Sequence, residues 1–366
     1  MKKRLLCINN NMNMGGAETF LMKVFRQLDK EKYALDFCVN DFNENYYENE
    51  IKALGGVVFK IPPKTHGIFS FRKRIKAIIA DGHYDYVLRI TSNCFGLYDL
   101  KIAKMAGAKV TIARSSNASD GSFILSILNA VSRKMFLKYV DVKIAPSDLA
   151  ARYTFGTKLY NLGNIILLKN GLNLNDYRFD KHKRETVRNE FGFGDDVFVI
   201  GHIGRFQKQK NHMKLIDIFY EFQKLNDNSR LMMIGSGELK TKIEAKVKAL
   251  RIDQKVFFCG LKDNIPYFLS AFDAFVFPSL FEGMPNTVVE AQASGLPCVV
   301  SDSITKEVDI TKTVTFVSNR APVTEWIKSI KKRTDENRTL EYTKLYKSGY
   351  DIASVTSCFV KAIFNE

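Results

Sequence analysis

The feature of this sequence that most constrains its fold is a regular alternation of short apolar runs with longer segments of helical periodicity. The runs RLLCINN, YALDFCVN and YDYVLRI have strand-like composition, and helical segments such as FSFRKRIKAIIADG lie between such runs. The strand-like runs are apolar almost throughout, which is typical of parallel strands covered by helices on both faces. The alternation therefore predicts a parallel, doubly wound α/β sheet.

Two such series follow one another along the chain. The first ends in residues 163–180, GNIILLKNGLNLNDYRFD, and the second begins in residues 197–206, VFVIGHIGRF. A chain of 366 residues is long for a single core. We therefore expect an N-terminal Rossmann-like domain over residues 1–172, a C-terminal one over residues 173–345, and a helix within residues 346–366 that crosses back to the first domain.

The charge of the chain points to an anionic partner. The formal net charge is +16, and residues 1–175 carry most of it. A basic half suggests a phosphorylated substrate, an acidic membrane surface or nucleic acid, and a solvated lysine-rich surface is an equally good interpretation. No recognised nucleic-acid motif supports that third partner.

The apolar runs, the N-terminal segment and the cysteines of the sequence indicate the cellular compartment. There is no run of about 18 uncharged apolar residues, and the apolar part of MKKRLLCINN is too short for a secretory signal. The six cysteines are scattered singly, without the spacing of a metal site. These observations favour a protein of the reducing cytoplasm.

The stretch FPSLFEGMPNTVVEAQASGLPCVVSD, residues 277–302, carries two carboxylates around a tight turn. It reads as a buried strand, a loop at its carboxyl end, and a helix with Asn286 as N-cap and Gly295 as the stop. The start of that helix suits a diphosphate, and Glu290, one turn further on, can accept hydrogen bonds from vicinal hydroxyls. Glu282 is expected to face the same crevice. One more αβ unit with two solvated glutamates is the alternative.

A second anion site is indicated by GHIGRFQKQKNH, residues 201–212. Arg205 and Lys210 stand before a helix N-terminus, where cations oppose the helix dipole unless an anion is bound. A flexible basic turn is the alternative. The turns IGSGEL (234–239) and MGGAE (14–18) also follow strands, although a lone pair of glycines is weak evidence.

Taken together, these segments resemble a known family. The motifs GGAE (15–18), GRFQKQKN (204–211), GSGEL (235–239) and FEGMPNTVVE (281–290) are similar to those of retaining glycosyltransferases of family 4. That resemblance implies the GT-B fold, in which two Rossmann-like domains face each other across a cleft. The segments KNGLN (169–173) and SDSITKEVDIT (301–311) resemble the branch that serves bacterial exopolysaccharide and capsule synthesis.

The resemblance also implies roles for particular residues. Arg205 and Lys210 would bind the donor diphosphate and stabilise the charge of the leaving group, and Glu282 would contact the donor sugar near the reacting carbon. Glu290 would bind the ribose hydroxyls. The remaining donor-binding residues would be Gly15, Gly16, Gly204, Gly235, Gly237, Leu261, Gly283, Met284, Pro285, Asn286 and Thr287.

The implied activity is transfer of a hexosyl or N-acetylhexosaminyl group, with retention, from a nucleotide-sugar to a lipid-linked oligosaccharide or another glycan. A UDP-sugar is the favoured donor, and neither a metal nor a cofactor is expected. The alternatives are a nucleotide-sugar-modifying enzyme of the epimerase type, a dinucleotide-dependent oxidoreductase, and a non-catalytic binder of an anionic ligand. The oxidoreductase would need a G-x-G-x-x-G turn after the first strand, which NMNMGGAE does not supply.

The chain departs from the family in its first half, where relatives usually carry histidines. Positions 88 and 90 are Leu88 and Ile90, and a common His-Ser-His-Asn segment reads Arg-Ser-Ser-Asn from 114 to 117. Arg114 could meet an acceptor phosphate, or it could be a strand-end arginine paired with a surface acid. The predicted acceptor-side residues are Arg114, Ser116 and Asn117.

Two segments of the first half mix apolar and basic residues at helical spacing. They are RKRIK (72–76) and GSFILSILNAVSRKMFLKYVDVK (121–143). A basic amphipathic helix can lie on an anionic bilayer, which predicts a peripheral position on the inner face of the plasma membrane. A buried helix whose lysines extend to the rim of the domain is the alternative.

Overall fold

The computed structural model describes residues 2–91, 94–116, 123–334, 338 and 342–366. The chain divides into two compact units. Unit 1 consists of Met1–Gly171 with Gly349–Glu366, and unit 2 consists of Leu172–Ser348.

The strands of both units are short and mostly buried, as the apolar runs of the sequence predict. In chain order they are β1 (Lys3–Asn9), β2 (Tyr33–Val39), β3 (Val58–Lys60), β4 (Tyr86–Thr91), β5 (Val110–Ser115), β6 (Val142–Ala145), β7 (Ile166–Leu167), β8 (Phe198–Ile203), β9 (Ser229–Ile234), β10 (Val256–Phe258), β11 (Ala274–Phe277), β12 (Cys298–Ser301) and β13 (Val314–Val317).

The helices alternate with the strands through both units. In chain order they are α1 (Gly16–Gln27), α2 (Glu48–Ala53), α3 (Ile68–Asp81), α4 (Leu97–Met105), α5 (Phe123–Phe136), α6 (Asp148–Phe155), α7 (Thr157–Asn161), α8 (Leu174–Tyr177), α9 (Lys181–Glu190), α10 (His212–Leu225), α11 (Lys240–Ala249), α12 (Ile265–Ala271), α13 (Asn286–Ala293), α14 (Val323–Thr334), α15 (Tyr342–Lys347) and α16 (Ile352–Phe364). Short 3₁₀ segments include Lys64–His66, Cys94–Gly96 and Lys208–Lys210.

Each unit is built on one parallel sheet among its described residues. The strand order is β3-β2-β1-β4-β5-β6-β7 in unit 1 and β10-β9-β8-β11-β12-β13 in unit 2. The order reverses at β1 in the first sheet and at β8 in the second, and such reversals create crevices at the carboxyl ends of the strands. These two parallel α/β sheets confirm the predicted fold class.

The last helix, α16, packs in unit 1 although it lies at the end of the chain. Phe359 and Phe364 are buried, and the ring of Phe359 lies 6.1 Å from that of Phe20 in α1. The ring of Phe364 stacks on Tyr33 at 4.8 Å. Helix α16 therefore completes one hydrophobic face of the first sheet.

In the part of the chain that the structure describes, no helix is both long and apolar enough to cross a membrane.

Candidate functional site

The predicted donor residues of unit 2 lie at the carboxyl edge of its sheet. Because the strands are parallel, the loops that follow β8, β9, β10 and β11 all reach this edge. We call residues 204–211, 235–239, 259–264 and 278–285 the four edge loops.

Backbone hydrogen bonds hold the four edge loops together. The Phe206 N–H donates to the carbonyl of Ser236 at 2.9 Å, and the Gly235 N–H donates to that of Gly260 at 2.8 Å. The Leu280 N–H donates to the carbonyl of Gln209 at 2.8 Å. The edge is therefore one connected surface, and it also positions Leu261, which follows Gly260 and is exposed.

Gly235 and Gly237 pack directly against the backbone of the first edge loop. Their φ angles are +142° and +155°, in the region that favours glycine. A Cβ would lie 2.2 Å from the Gly204 carbonyl oxygen in one case and 2.5 Å from that of Phe206 in the other. Both glycines are required by the contact between loops. The donor contact predicted for them stays a prediction.

Lys210 and Glu282 form an ion pair in this edge. Their side-chain N–O distance is 2.7 Å, and the two side chains are 16% and 12% exposed. The ammonium also lies 4.8 Å from the ring centroid of Phe277. A parallel bridge to Ile304 holds the backbone of Glu282. Two predicted catalytic residues are thus in direct contact.

Arg205, the third predicted catalytic residue, is exposed beside Gly204. Its guanidinium has no ion-pair or hydrogen-bond partner within the described part of the chain. A guanidinium offers five donors in a planar fork that matches phosphate oxygens. Arg205 can therefore bind an anion without breaking an internal contact.

Glu290 lies one turn inside α13, with only 8% of its surface exposed. The helix starts at Asn286, and Pro285 occupies the N-cap position. The predicted N-cap Asn286 is therefore wrong by one residue, because the fixed φ of Pro285 lets the helix begin directly after it. Gly295 ends the helix with a φ of +65°, as the sequence predicts.

The loop that precedes α13 contains the other predicted contacts to the donor phosphate and sugar. Residues Gly283, Met284 and Pro285 form its last part, and Thr287 is the second residue of the helix. They lie in the same edge loop as Glu282. Their backbone roles stay predictions.

Two buried histidines, to which sequence reasoning assigned no role, lie beneath the first edge loop. His202 and His212 are 0% and 1% exposed, and their rings lie 4.7 Å apart. Nδ1 of His202 is 2.9 Å from the Val276 carbonyl oxygen. Burial lowers the pKa of His212 to about 4, with a further contribution from the charge of Lys210. Burial, followed by the proximity of His212, lowers the pKa of His202 well below its usual value.

Gly204 packs closely over His202 and the side chain of Lys210. A Cβ on Gly204 would lie 3.1 Å from Nε2 of His202 and 3.2 Å from Cδ of Lys210. The only signal in the sequence was the position of His202 inside an otherwise apolar strand, VFVIGHIG.

The predicted residues of unit 1 that the structure describes follow β1 or lie at the end of β5. Gly15 is the N-cap of α1 and Gly16 its first residue. Arg114 is buried, donates a hydrogen bond to Oδ1 of Asn170 and lies 3.7 Å from the ring centroid of Phe20. Burial lowers the pKa of Arg114 to about 9. Its predicted acceptor role stays a prediction, although the structure gives it internal partners.

The other two acceptor-side residues differ in what the structure shows of them. Ser116 lines a pocket of unit 1 that also contains Glu18 and Arg89. Asn117 lies outside the described residues.

A known protein family matches the part of the chain that contains the four edge loops. The family described as glycosyl transferases group 1 matches residues 183–341, a range that contains Arg205, Lys210, Glu282 and Glu290. A Bacillus subtilis protein named "Putative glycosyltransferase EpsF" is 32% identical over 361 residues, which cover 96% of this chain and 93% of that protein. The chain therefore belongs to the group 1 glycosyltransferases. This confirms the predicted enzyme class.

Two further proteins are similar to this chain. An Escherichia coli enzyme, UDP-Gal:alpha-D-GlcNAc-diphosphoundecaprenol alpha-1,3-galactosyltransferase, is 30% identical over 141 residues, which cover 38% of this chain and 36% of that enzyme. The crystal structure of Anabaena HepE in complex with UDP-glucose has a TM-score of 0.80 at 16% identity, over 99% of this chain and 100% of that one. That likeness supports the GT-B fold.

Proposed function

We propose that this protein is a retaining, family 4 glycosyltransferase of cell-surface polysaccharide synthesis. It transfers a hexosyl or N-acetylhexosaminyl group from a UDP-sugar to a lipid-linked glycan. The observation that carries the proposal is the contact between Lys210 and Glu282 beside the exposed Arg205. A sugar diphosphate needs cations for its phosphates and a carboxylate for its hydroxyls, and this edge supplies both.

The charge arrangement supports the donor assignment. The guanidinium of Arg205 is exposed, and the start of α13 adds the positive end of a helix dipole. Glu290, one turn into α13, is a hydrogen-bond acceptor suited to the ribose hydroxyls. UDP is favoured among the nucleotides because the name of the E. coli relative includes UDP-Gal and that of the Anabaena structure includes UDP-glucose.

The reaction breaks the bond between the anomeric carbon and the diphosphate oxygen, and UDP leaves with the electron pair. The acceptor hydroxyl attacks the same face of the sugar, and its proton passes to the departing phosphate oxygen. Negative charge on the diphosphate grows during this step, so Arg205 and Lys210 stabilise the transition state more than the ground state. Glu282, already in contact with Lys210, holds the donor sugar near its reacting carbon.

We propose that this step uses no metal or other cofactor, since Arg205 and Lys210 supply the positive charge that a divalent cation would otherwise provide. Chelation of divalent cations should leave the rate of sugar transfer unchanged. A rate that disappears with EDTA and returns with Mg²⁺ or Mn²⁺ would contradict this part of the proposal.

The acceptor assignment rests on the kind of acceptor named for the E. coli relative. That enzyme is named for a sugar linked to diphosphoundecaprenol. A polyprenyl-linked glycan is also an amphiphile, and it would be presented to the enzyme at a bilayer surface.

The central experiment measures donor binding and turnover in matched lysine variants. Titration calorimetry with UDP-glucose, UDP-galactose, UDP-N-acetylglucosamine and GDP-mannose identifies the donor, and NMR of the product reports its anomeric configuration. Lys210→Met should lower turnover by about 10²-fold or more, because a group that stabilises the leaving diphosphate is lost. Lys208 lies in the same 3₁₀ segment and is exposed, so Lys208→Met is the matched control.

The outcomes separate the alternatives. Equal turnover in the two lysine variants would contradict the role of Lys210. An inverted anomeric configuration would contradict retention. Conversion of a UDP-sugar to its epimer without an acceptor would favour a nucleotide-sugar-modifying enzyme.

We also propose that α5 places unit 1 on an anionic bilayer. Ile127, Leu128, Val131 and Met135 are between 43% and 55% exposed, and their spacing puts them on one face of the helix. Lys134 is exposed beside them. An apolar stripe next to basic residues suits the interface of a negatively charged membrane.

Vesicle flotation tests the membrane contact. The wild-type protein should float with vesicles of phosphatidylglycerol and phosphatidylcholine, and less with phosphatidylcholine alone. The double variant Val131→Glu/Met135→Glu should remain at the bottom. Leu225 is 62% exposed in unit 2, so Leu225→Glu is the control and should float. Equal flotation of both variants, or indifference to lipid charge, would contradict the proposal.

A further inference from the structure

The segment SDSITKEVDIT, to which the proposed reaction assigns no role, lies beside the predicted donor residues of unit 2. It forms the end of β12 and most of the loop that leads on to β13, and we call residues 302–313 the β12 loop. Ile304 of this loop is buried and forms a parallel bridge with Glu282. The backbone of the residue proposed to hold the donor sugar is therefore paired with the β12 loop.

This bridge extends the pairing between β11 and β12. The two strands are parallel neighbours up to Phe277 and Val300, and their chains pair again at Glu282 and Ile304. From this backbone position the carboxylate of Glu282 reaches Nζ of Lys210 at 2.7 Å. A displacement of Ile304 would therefore move Glu282 relative to Lys210 and to a bound sugar.

One buried side chain of α13, Gln292, binds the far part of the β12 loop. Gln292 is 1% exposed. Its Nε2 donates to the carbonyl of Val308 at 2.7 Å and to that of Val288 in its own helix at 3.2 Å. Its Oε1 accepts from the N–H groups of Ile310 and Thr311 at 3.0 and 3.1 Å. The hydroxyl of Thr311 donates to the same oxygen at 2.9 Å.

The amide group of Gln292 thus uses both its donors and its acceptor oxygen. If the β12 loop moved away, these buried groups would be left without partners and out of contact with water, which is costly. Buried polar networks that are fully satisfied make the surrounding structure rigid. Gln292 therefore favours one position of the β12 loop on α13.

A compact turn connects Ile304 with the part of the loop that α13 binds. The residues between them include the 3₁₀ segment Lys306–Val308. The side chain of Thr305 accepts from the N–H of Glu307 at 3.3 Å, and the N–H of Val308 donates to the carbonyl of Thr305 at 3.3 Å. Because this turn is short and internally bonded, a shift at Val308 is passed on to Ile304.

Gln292 also belongs to the helix that contains the predicted ribose contact, Glu290. It therefore links the element proposed to hold the nucleotide with the loop that fixes Glu282, the proposed sugar contact. The relative position of these two contacts determines where the anomeric carbon lies with respect to the diphosphate. Small errors in such positions have large effects on rate.

We propose that Gln292 is a positioning residue of sugar transfer, which holds the β12 loop so that Ile304 places Glu282 beside the donor sugar. Gln292 is too deeply buried to touch the substrate, and it acts through Glu282. The assignment rests on the proposed glycosyltransferase function and adds the group that orients its sugar contact.

The experiment compares four variants of the full-length protein with the wild type. Gln292→Met keeps the length of the side chain and removes the amide. Thr311→Val removes the hydroxyl that donates to Gln292, and Thr311→Ser retains it. Thr356→Val is the matched control, because this buried threonine of unit 1 has a hydroxyl without a hydrogen-bond partner among the described residues.

The rate measured is the release of UDP from the bound UDP-sugar, with N-acetylglucosaminyl-diphosphoundecaprenol and, separately, with water as acceptor. We expect kcat to fall about tenfold in Gln292→Met and several-fold in Thr311→Val, since Glu282 loses its exact place. Affinity for UDP should not fall in either variant. Thr311→Ser and Thr356→Val should keep the wild-type kcat. An undiminished kcat in both Gln292→Met and Thr311→Val would overturn the proposal.

A second comparison introduces Thr311→Val into the Glu282→Gln variant. If the threonine acts through Glu282, its replacement should change kcat in this background by less than about twofold. A role in stability alone would lower the melting temperature and would show no such coupling to Glu282. Equal losses of kcat in the two backgrounds would overturn the proposal.

Hydrogen exchange followed by mass spectrometry gives a measurement that does not depend on activity. Residues 278–285, which include Glu282, should exchange faster in Gln292→Met and Thr311→Val, and residues 235–239 should not change. Unchanged exchange at 278–285 would overturn the proposal. Failure of the wild type to bind any UDP-sugar would contradict the proposed function instead, and the exchange would still decide whether Gln292 positions Glu282.

Discussion

Nζ of Lys210 lies 2.7 Å from Oε1 of Glu282, although 72 positions separate the two residues. Lys210 follows β8 and Glu282 follows β11, and these two strands are neighbours in the sheet. In the absence of a ligand, the pair neutralises both charges in a mostly buried site. Under the proposed function, a donor diphosphate would compete with Glu282 for the ammonium.

The substitution Glu282→Gln should separate binding from catalysis. Removal of the carboxylate leaves Lys210 free for the diphosphate, so UDP should bind several-fold more tightly, within the roughly 10-fold that one charge-assisted contact provides. Turnover should fall because the contact with the donor sugar is lost. Calorimetry with UDP and steady-state kinetics measure the two effects. Weaker UDP binding together with normal turnover would contradict the assigned competition.

Glu290→Gln should remove the ability to distinguish ribose from deoxyribose. A carboxylate that accepts from vicinal hydroxyls loses one such bond when the ligand is 2′-deoxy-UDP, a loss of about 1.5–3 kcal/mol for a charged acceptor. The wild type should therefore prefer UDP to 2′-deoxy-UDP, and the variant should bind both with similar affinity. An unchanged preference in the variant would show that Glu290 does not contact the ribose.

Gly237→Ala should destabilise unit 2 through a contact between loops. The new Cβ would lie 2.5 Å from the carbonyl oxygen of Phe206, in a backbone conformation with φ of +155°. We expect a loss of about 1–3 kcal/mol in the free energy of unfolding, as for other strained backbone positions. The measurement is urea unfolding followed by circular dichroism.

The matched control for Gly237 is Gly192, which has a φ of +68° and open space around the position of a Cβ. Gly192→Ala changes only the backbone preference, so it should cost about 1 kcal/mol and leave UDP affinity unchanged. If both alanine variants lose the same stability, the contact with Phe206 does not determine the effect.

His212 should make the protein less stable in mild acid. The folded pKa of about 4 is below the usual value of 6.5, so between these values the unfolded chain binds a proton that the folded chain does not. The contribution of neutral His212 to the free energy of unfolding is therefore fully present above about pH 6.5. It decreases as the pH falls toward 4, by up to about 3 kcal/mol.

Urea unfolding of the wild type and of His212→Phe at about pH 7.5 and about pH 5 tests this linkage. The aromatic replacement keeps a ring beside Phe206 but cannot take up a proton. The variant should lose less stability than the wild type on acidification. An equal loss in both proteins would assign the acid sensitivity to other groups.

Phe359→Ala should destabilise unit 1, because α16 contributes this fully buried ring to the core. The expected loss is about 3–5 kcal/mol, which is typical of a large ring removed from a core. Cys358, the adjacent residue of α16, is exposed, so Cys358→Ala should have almost no effect. Thermal unfolding monitored by circular dichroism compares the two, and equal melting temperatures would contradict the packing of α16.

Much of the fold could be predicted because its signals are local. Apolar runs separated by helical segments specify parallel strands and covering helices, and Gly295 ends α13 as its conformational freedom suggests. The glycine turns were found in the same way, since each directly follows a strand. The reason for these glycines could not be predicted from the sequence, because Gly235 and Gly237 are required by contacts with another loop.

The amino-acid sequence by itself determined the α/β class and which residues stand at the carboxyl ends of strands, because these properties depend on neighbours a few positions away. The tertiary structure alone decided that Lys210 pairs with Glu282, that His202 and His212 lie buried together, and that Gln292 binds the β12 loop to α13. These contacts depend on strand order and on the water that packing excludes. No short segment of the sequence specifies either the strand order or the exclusion of water.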